Sequence, residues 1–227
     1  MLKKYKSILL VILITFPFFA FAHVEHYKDL NKIEFDIYRN NKLIGYHIFS
    51  FSNNDDLLEV KSEIKFKIKK LGVVLYDYQV TGTEVYKDGV LIKFNSKTNQ
   101  NGKSKYVNIK SENDELVVDG SSHKGKVPAN YLIGTWWNHS LVKAPAQISA
   151  VSGRIIKQKV KFIGKETINF DGKEINALHF NFSSTDKNLE KKKKLNTDVW
   201  YDEKNLNWVK ATFKKSGNWE YRLKVIN

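Results

Sequence analysis

The sequence predicts an all-β protein: a single antiparallel meander forming a curved, open or partly closed β-barrel, with one short helical segment near 132–142. Three observations carry this expectation. Apolar residues recur with a period of two rather than 3.6, most clearly from Leu58 to Lys69. Pairs rich in Asn, Asp and Gly punctuate the apolar runs. Removing 22 residues from 227 leaves 205, enough for one sizeable core without disulfide staples.

The elements follow in chain order. Ile33, Phe35 and Ile37 alternate with Glu34 and Asp36, and Asn40-Asn41 follows as a turn. Leu58, Val60, Ile64, Phe66 and Ile68 point one way, while Glu59, Lys61, Glu63, Lys65, Lys67 and Lys69 point the other. A strand sends alternate side chains to opposite faces, so this run has one buried and one wet face, as in antiparallel sheets. Val74, Tyr76, Tyr78 and Val80 form the next stripe. Leu178, Phe180 and Phe182, then Val209, Ala211 and Phe213, then Trp219, Tyr221, Leu223 and Val225 form the later ones. Asp88-Gly89, Asn101-Gly102, Asp171-Gly172 and Ser216-Gly217 supply the positive φ angles of tight hairpins. Roughly ten to twelve strands are expected.

One interval breaks the rhythm. Between Pro128 and Val142, Thr135 is a candidate cap for one or two helical turns ending near Val142, and Pro145 stops any helix soon after. This segment is expected to plug an end or seam of the sheet. Ala144–Gly153 reads as an ordered loop. The connection Ser183–Asn196 carries Lys191-Lys192-Lys193-Lys194, a solvated hairpin tip or an electrostatic contact with lipid headgroups.

The N-terminus addresses location. Lys3, Lys4 and Lys6 precede an apolar run from Ile8 to Phe19, and Ala20-Phe21-Ala22 places small residues at −3 and −1. These are the marks of a secretory signal peptide cleaved after Ala22. The apolar core is shorter than the about 20 residues a bilayer span requires. The expected organisation is therefore a signal peptide at 1–22 and one domain at 23–227, periplasmic or secreted.

Composition excludes several functions. Without cysteine there is no disulfide, thiol nucleophile, Cys-ligated zinc or lipidated cysteine. The net charge of +14 rests on 35 Lys against 3 Arg. A surface selected to grip phosphate would use more of arginine's planar fork, so nucleic acid is not expected as a partner. The six histidines show no metal-ligand spacing, and neither a Gly-x-Ser-x-Gly elbow nor a phosphate-cradling Gly loop is present. His23 and His26 could join a freed N-terminus in a weak metal chelate, although a frayed polar tail is the simpler reading. Asp77, Glu84, Glu166, Asp198 and Asp202 are acids that sequence cannot pair. No catalytic residue, metal or cofactor is expected.

Aromatics are the unusual asset: 14 Phe, 11 Tyr and 5 Trp. Adjacent Trp136 and Trp137 cannot both face one way; one can enter the core while the other lines a rim, with Asn138 as a polar handle. Trp200-Tyr201-Asp202 runs from strand to turn, with Asp202 accepting backbone bonds there. The candidate ligand contacts are Trp136, Trp137, Asn138, Phe66, Tyr76 and Tyr78, for an apolar or amphipathic molecule such as a lipid. Two other readings stay open: an envelope assembly or interaction protein, and a hydrolase using His179 or His139 with an acid.

A wider pattern runs through the mature chain. It comprises Leu43-Ile44-Gly45, Tyr76-Asp77-Tyr78, Thr81-Gly82-Thr83-Glu84, Tyr86-Lys87-Asp88-Gly89 and Trp136-Trp137-Asn138. Further on come Ser152-Gly153-Arg154, Ile163-Gly164-Lys165-Glu166, Ala177-Leu178-His179-Phe180 and Val199-Trp200-Tyr201-Asp202. Trp208-Val209-Lys210, Gly217 and Tyr221-Arg222-Leu223 complete it. In their order these resemble a family of exported bacterial proteins classed as a domain of unknown function. The resemblance implies an all-β periplasmic protein with a curved antiparallel sheet, and it supplies no catalytic residue. By fold analogy alone, carriers of lipid-like molecules between bacterial membranes use similar open barrels.

Overall fold

The computed structural model describes residues 27, 29–54 and 56–227. The expected signal peptide and its expected cleavage after Ala22, and His23 and His26, lie outside the described residues. Fifteen strands form a single sheet. The first eight are β1 (Lys32–Arg39), β2 (Lys42–Asn54), β3 (Leu57–Lys70), β4 (Val73–Lys87), β5 (Val90–Gln100), β6 (Lys103–Glu112), β7 (Glu115–Gly120) and β8 (Lys124–Pro128). The remaining seven are β9 (Leu132–Ile133), β10 (Ala146–Ile148), β11 (Ile155–Phe170), β12 (Lys173–Ser184), β13 (Asn196–Asp202), β14 (Trp208–Lys214) and β15 (Asn218–Ile226).

Two meanders meet back to back. β1 pairs with both β2 and β15, so the chain's first and last strands form the middle of the sheet, and β8 and β9 form its two edges. Only residues 129–131 separate those edges in sequence. A chain spans at most about 3.5 Å per residue, so the edges stand within roughly 14 Å of each other. The sheet is an open barrel: the chain bridges its seam, and no ladder does. The turn after β10 helps hold that seam. Ser122 N–H donates to Ser152 O (2.8 Å), Ser96 Oγ donates to Ala150 O (2.6 Å) and Thr98 Oγ1 to Val151 O (3.4 Å). Gly120 is required there, since a Cβ on it would stand 2.8 Å from Ser152 O.

The antiparallel meander is as expected, with more and shorter strands at the seam. β9 and β10 pair in parallel, and β10 occupies part of the interval read as loop. The helical segment shrinks to a five-residue 3-10 turn, His139–Lys143, capped by Asn138, whose Oδ1 accepts from Ser140 N–H (2.9 Å). Two local facts explain the missing turn. Trp136 has φ +64°, which no right-handed helix accommodates. Thr135, the expected cap, donates its hydroxyl to Glu84 instead (2.9 Å). Val74 departs from its expected stripe because a register shift pairs Ile68 with Tyr76 but Lys69 with Val74, leaving Leu75 as the extra residue.

The inner face carries one continuous core. Ile33, Phe35 and Ile37 of β1 are fully buried, as are Phe49, Phe94, Phe182 and Trp208. A second, small cluster of Ala177, Trp200 and Val209 lies apart from it. Lys191–Lys193 form an exposed 3-10 turn, with Lys192 and Lys193 paired to Glu190. Among the described residues no helix is long and apolar enough to cross a membrane.

Candidate functional site

The Trp136-Trp137-Asn138 segment enters the barrel and meets β4 at Glu84. The carboxylate is almost wholly buried and accepts three bonds: Tyr86 O–H (2.5 Å), Trp137 Nε1–H (2.8 Å) and Thr135 O–H (2.9 Å). Burial raises its pKa, and the three donors oppose that rise by favouring the charged form. Tyr86 is pushed well above its ordinary value, first by burial and then by the neighbouring Glu84. Trp137 is closed off on its other sides by edge contacts with Tyr27 (5.1 Å), Phe51 (5.5 Å) and Tyr86 (5.6 Å). Tyr27 O–H donates to Leu206 O (3.1 Å) and accepts from His139 N–H (3.0 Å), tying the plug to both halves of the sheet. This is a closed end, held by filled volume and satisfied polar groups.

The other predicted residues gather elsewhere. Phe66 stacks on Tyr78 (4.7 Å) and Tyr76 (6.0 Å), and meets Trp219 edge-on (5.1 Å). Trp219 stacks on Phe213 (5.5 Å), which lies 6.5 Å from Trp136. Trp136 in turn touches Trp208 (5.6 Å) and Tyr221 (5.9 Å), and His47 touches the same two rings (5.8 and 5.9 Å). Ring contacts thus run without a break from Tyr76 to His47. Tyr76, Tyr78, Phe213 and Trp219 at one end of this ladder are only half-buried, whereas His47 and Trp208 at the other are buried.

Of the six predicted contacts, Phe66, Tyr76 and Tyr78 form one stack. Trp136 joins the same ladder from the plug. Trp137 and Asn138 belong to the buried hub around Glu84 and Tyr86.

The deep end of the ladder has unusual polar chemistry. Among the described residues neither ring nitrogen of His47 nor Trp136 Nε1 has a hydrogen-bond partner. Desolvation lowers the His47 pKa from 6.5 to about 3, so the ring is neutral at physiological pH. Sequence reading missed His47, Trp208, Phe213 and Trp219 as members of one array. Phe213 and Trp219 lay in stripes read from the sequence, His47 and Trp208 did not, and the meeting of all four depends on β1 pairing with β15.

Two further features lie on the outer face. His179 stacks on Trp200 (4.1 Å), its Nδ1 stands 2.7 Å from Glu166 and its Nε2 stands 3.2 Å from Asp198. Trp200 Nε1–H donates to the second Glu166 oxygen (2.9 Å). Asp202 accepts from Lys204 N–H (2.8 Å), the turn role expected of it. A trough of about 770 Å³ on β2–β6 is lined by polar side chains that include Lys61, Glu63, Thr81, Lys97 and Asn108. Neither Trp136 nor Trp137 lines it. Among the described residues no group of His, Asp and Glu is placed to hold a metal ion.

Fold and interior together define an open, β-barrel-like protein with a plugged end and an aromatic ladder. The chain belongs to the family described as "Domain of unknown function (DUF6134)", whose model matches residues 35–224. No curated protein matches it. Among solved structures it is similar to the beta-barrel-like protein of the domain of unknown function DUF1849 from Brucella abortus. That similarity has a TM-score of 0.61 at 10% identity, covering 87% of this chain and 97% of that one. At such identity the likeness concerns the fold alone.

Proposed function

We propose that the protein is an exported, non-enzymatic binding module that takes an apolar or amphipathic molecule, such as a lipid, along the aromatic ladder. The observation that carries this reading is the unbroken run of ring contacts from half-buried Tyr76 and Tyr78 to the unpartnered polar atoms of His47 and Trp136. An apolar chain gains by covering half-buried aromatic surface. A polar head gains by satisfying buried nitrogens that otherwise lack partners. Of the expected contacts, this reading keeps Phe66, Tyr76, Tyr78 and Trp136 and drops Trp137 and Asn138, which are taken up by the hub around Glu84.

The competing readings have less support. Both ring nitrogens of His179 already meet carboxylates, so a hydrolase built on it has no free nitrogen to offer a substrate. An assembly role through strand addition needs an exposed edge. β8 carries Lys124, Lys126 and Pro128, and β9 has two residues, features that blunt edges.

Native mass spectrometry of protein purified from its producing cells tests the reading directly. A co-purifying lipid-like mass, lost in Tyr78→Ala and Trp219→Ala variants, is expected. Absence of any adduct, with tryptophan emission unmoved by added fatty acids and phospholipids, would overturn it.

A further inference from the structure

The β3–β4 hairpin stands out from the sheet. Pairing of β3 with β2 ends at Phe66, and pairing of β4 with β5 ends at Tyr78. Beyond those points Lys67–Lys70 and Val73–Tyr76 are laddered only to each other, about 13 Å of ribbon at the usual strand rise, while Asp77 O still accepts from Asn101 N–H (2.7 Å). Its tip is apolar and open to solvent: Leu71 is 95% exposed, Val73 62% and Leu75 53%.

The turn itself is anomalous within this molecule. Among the described residues six two-residue turns place both residues at positive φ, besides Ser216-Gly217 in a three-residue turn. Five begin with Asn or Asp: Asn40, Asp88, Asn101, Asn113 and Asp171. The sixth is Leu71-Gly72, with Leu71 at φ +50°. A γ-branched apolar residue in the left-handed region is strained, and here no core contact compensates it. An isolated ribbon is also marginal by itself. Folding alone does not account for leucine at this position.

Charge says what the tip meets. The segment Lys65–Tyr76 holds four lysines and no carboxylate. Lys67 is paired with Asp77 (3.0 Å), while Lys69 and Lys70 have no carboxylate partner among the described residues. An apolar tip, a collar of uncompensated lysine and a base of tyrosines match, in that order, the acyl boundary, the phosphates and the interface of an anionic bilayer. We infer that the β3–β4 hairpin is a docking finger that inserts Leu71, Val73 and Leu75 into an anionic membrane surface. This surface stands whether or not the ladder takes a ligand, although it would place the ladder's open end toward the bilayer.

The absence of cysteine allows a local test on the full chain. A single nitrobenzoxadiazole label is placed at Val73→Cys, with Lys173→Cys on another hairpin as control. Vesicles of equal parts phosphatidylglycerol and phosphatidylcholine are expected to blue-shift the first label and leave the second unchanged. Leu71→Asn should weaken vesicle affinity about tenfold, the loss of one buried apolar side chain. Lys69→Gln and Lys70→Gln should each weaken it about fivefold. Leu71→Asn installs the residue the other turns use, so an unaltered or raised melting temperature separates lost docking from lost folding. A Val73 label that does not shift, an unchanged affinity in Leu71→Asn, or equal binding to pure phosphatidylcholine would overturn the inference. If docking fails while a lipid still co-purifies, only this surface falls; if docking succeeds with no adduct, only the ladder reading falls.

Discussion

The plug and the β3–β4 finger solve opposite problems. At the plug, Trp137 is fully buried, its N–H is satisfied by Glu84, and three more aromatic rings close around it. At the finger, Leu71, Val73 and Leu75 stand in solvent on a ribbon laddered only to itself. The first arrangement lowers the free energy of the folded chain; the second raises it. Surface that costs stability and is nonetheless built in points to a use outside folding.

Four measurements break or sharpen this contrast, beginning with the largest effect. His47 is neutral in the folded state, with its pKa lowered from 6.5 to about 3 by desolvation. Its contribution to stability is full above 6.5 and is lost as pH falls toward about 3, amounting to about 5 kcal/mol at the low end. His47→Phe should flatten urea-denaturation stability across that window.

Next, Trp137→Ala should cost about 4 kcal/mol by opening a cavity and leaving Glu84 one donor short, read from the same denaturation curves. Glu84→Leu should cost about 3 kcal/mol by stranding the donors of Tyr86, Thr135 and Trp137, and Glu84→Gln less. Because burial raises the Glu84 pKa, its ionisation opposes folding. That penalty is absent below the ordinary value of 4.5, grows as pH rises from there to the raised folded value, and is constant above it. The parent should therefore lose ground to Glu84→Gln as pH rises, and a flat difference would contradict the raised pKa.

The smallest stability effect belongs to the finger. Leu71→Asn should be neutral or stabilising by about 0.5 kcal/mol, since Asn tolerates positive φ better. Calorimetry showing a clear loss of stability would mean that Leu71 packs into the fold, and the contrast with the plug would dissolve.

How much of this was legible depends on the range of the interaction. The Leu58–Lys69 alternation announces β3 within a residue at each end, because pleating is a local property. Asp88-Gly89 and Asn101-Gly102 announce their hairpins for the same reason. The tryptophan pair was recognisable as a plug. Its partner was not: Glu84 looked like any other acid, since its three donors include two from residues more than 50 positions away. The Val74 stripe failed because one extra residue, Leu75, re-aims the strand, and a bulge leaves no mark in a hydrophobic pattern.

By itself, then, the sequence determined the all-β class, the turn positions, the segment that would break the strand rhythm and the absence of thiol chemistry. Each follows from residue type or from spacings of two to four residues. Only the tertiary structure decided that β1 and β15 would meet at the centre, that the barrel would stay open between β8 and β9, and that Tyr76 and His47 would sit at two ends of one aromatic ladder. Those outcomes depend on pairings across nearly the whole chain. An alternating pattern specifies which face of a strand is buried but not which strand lies beside it.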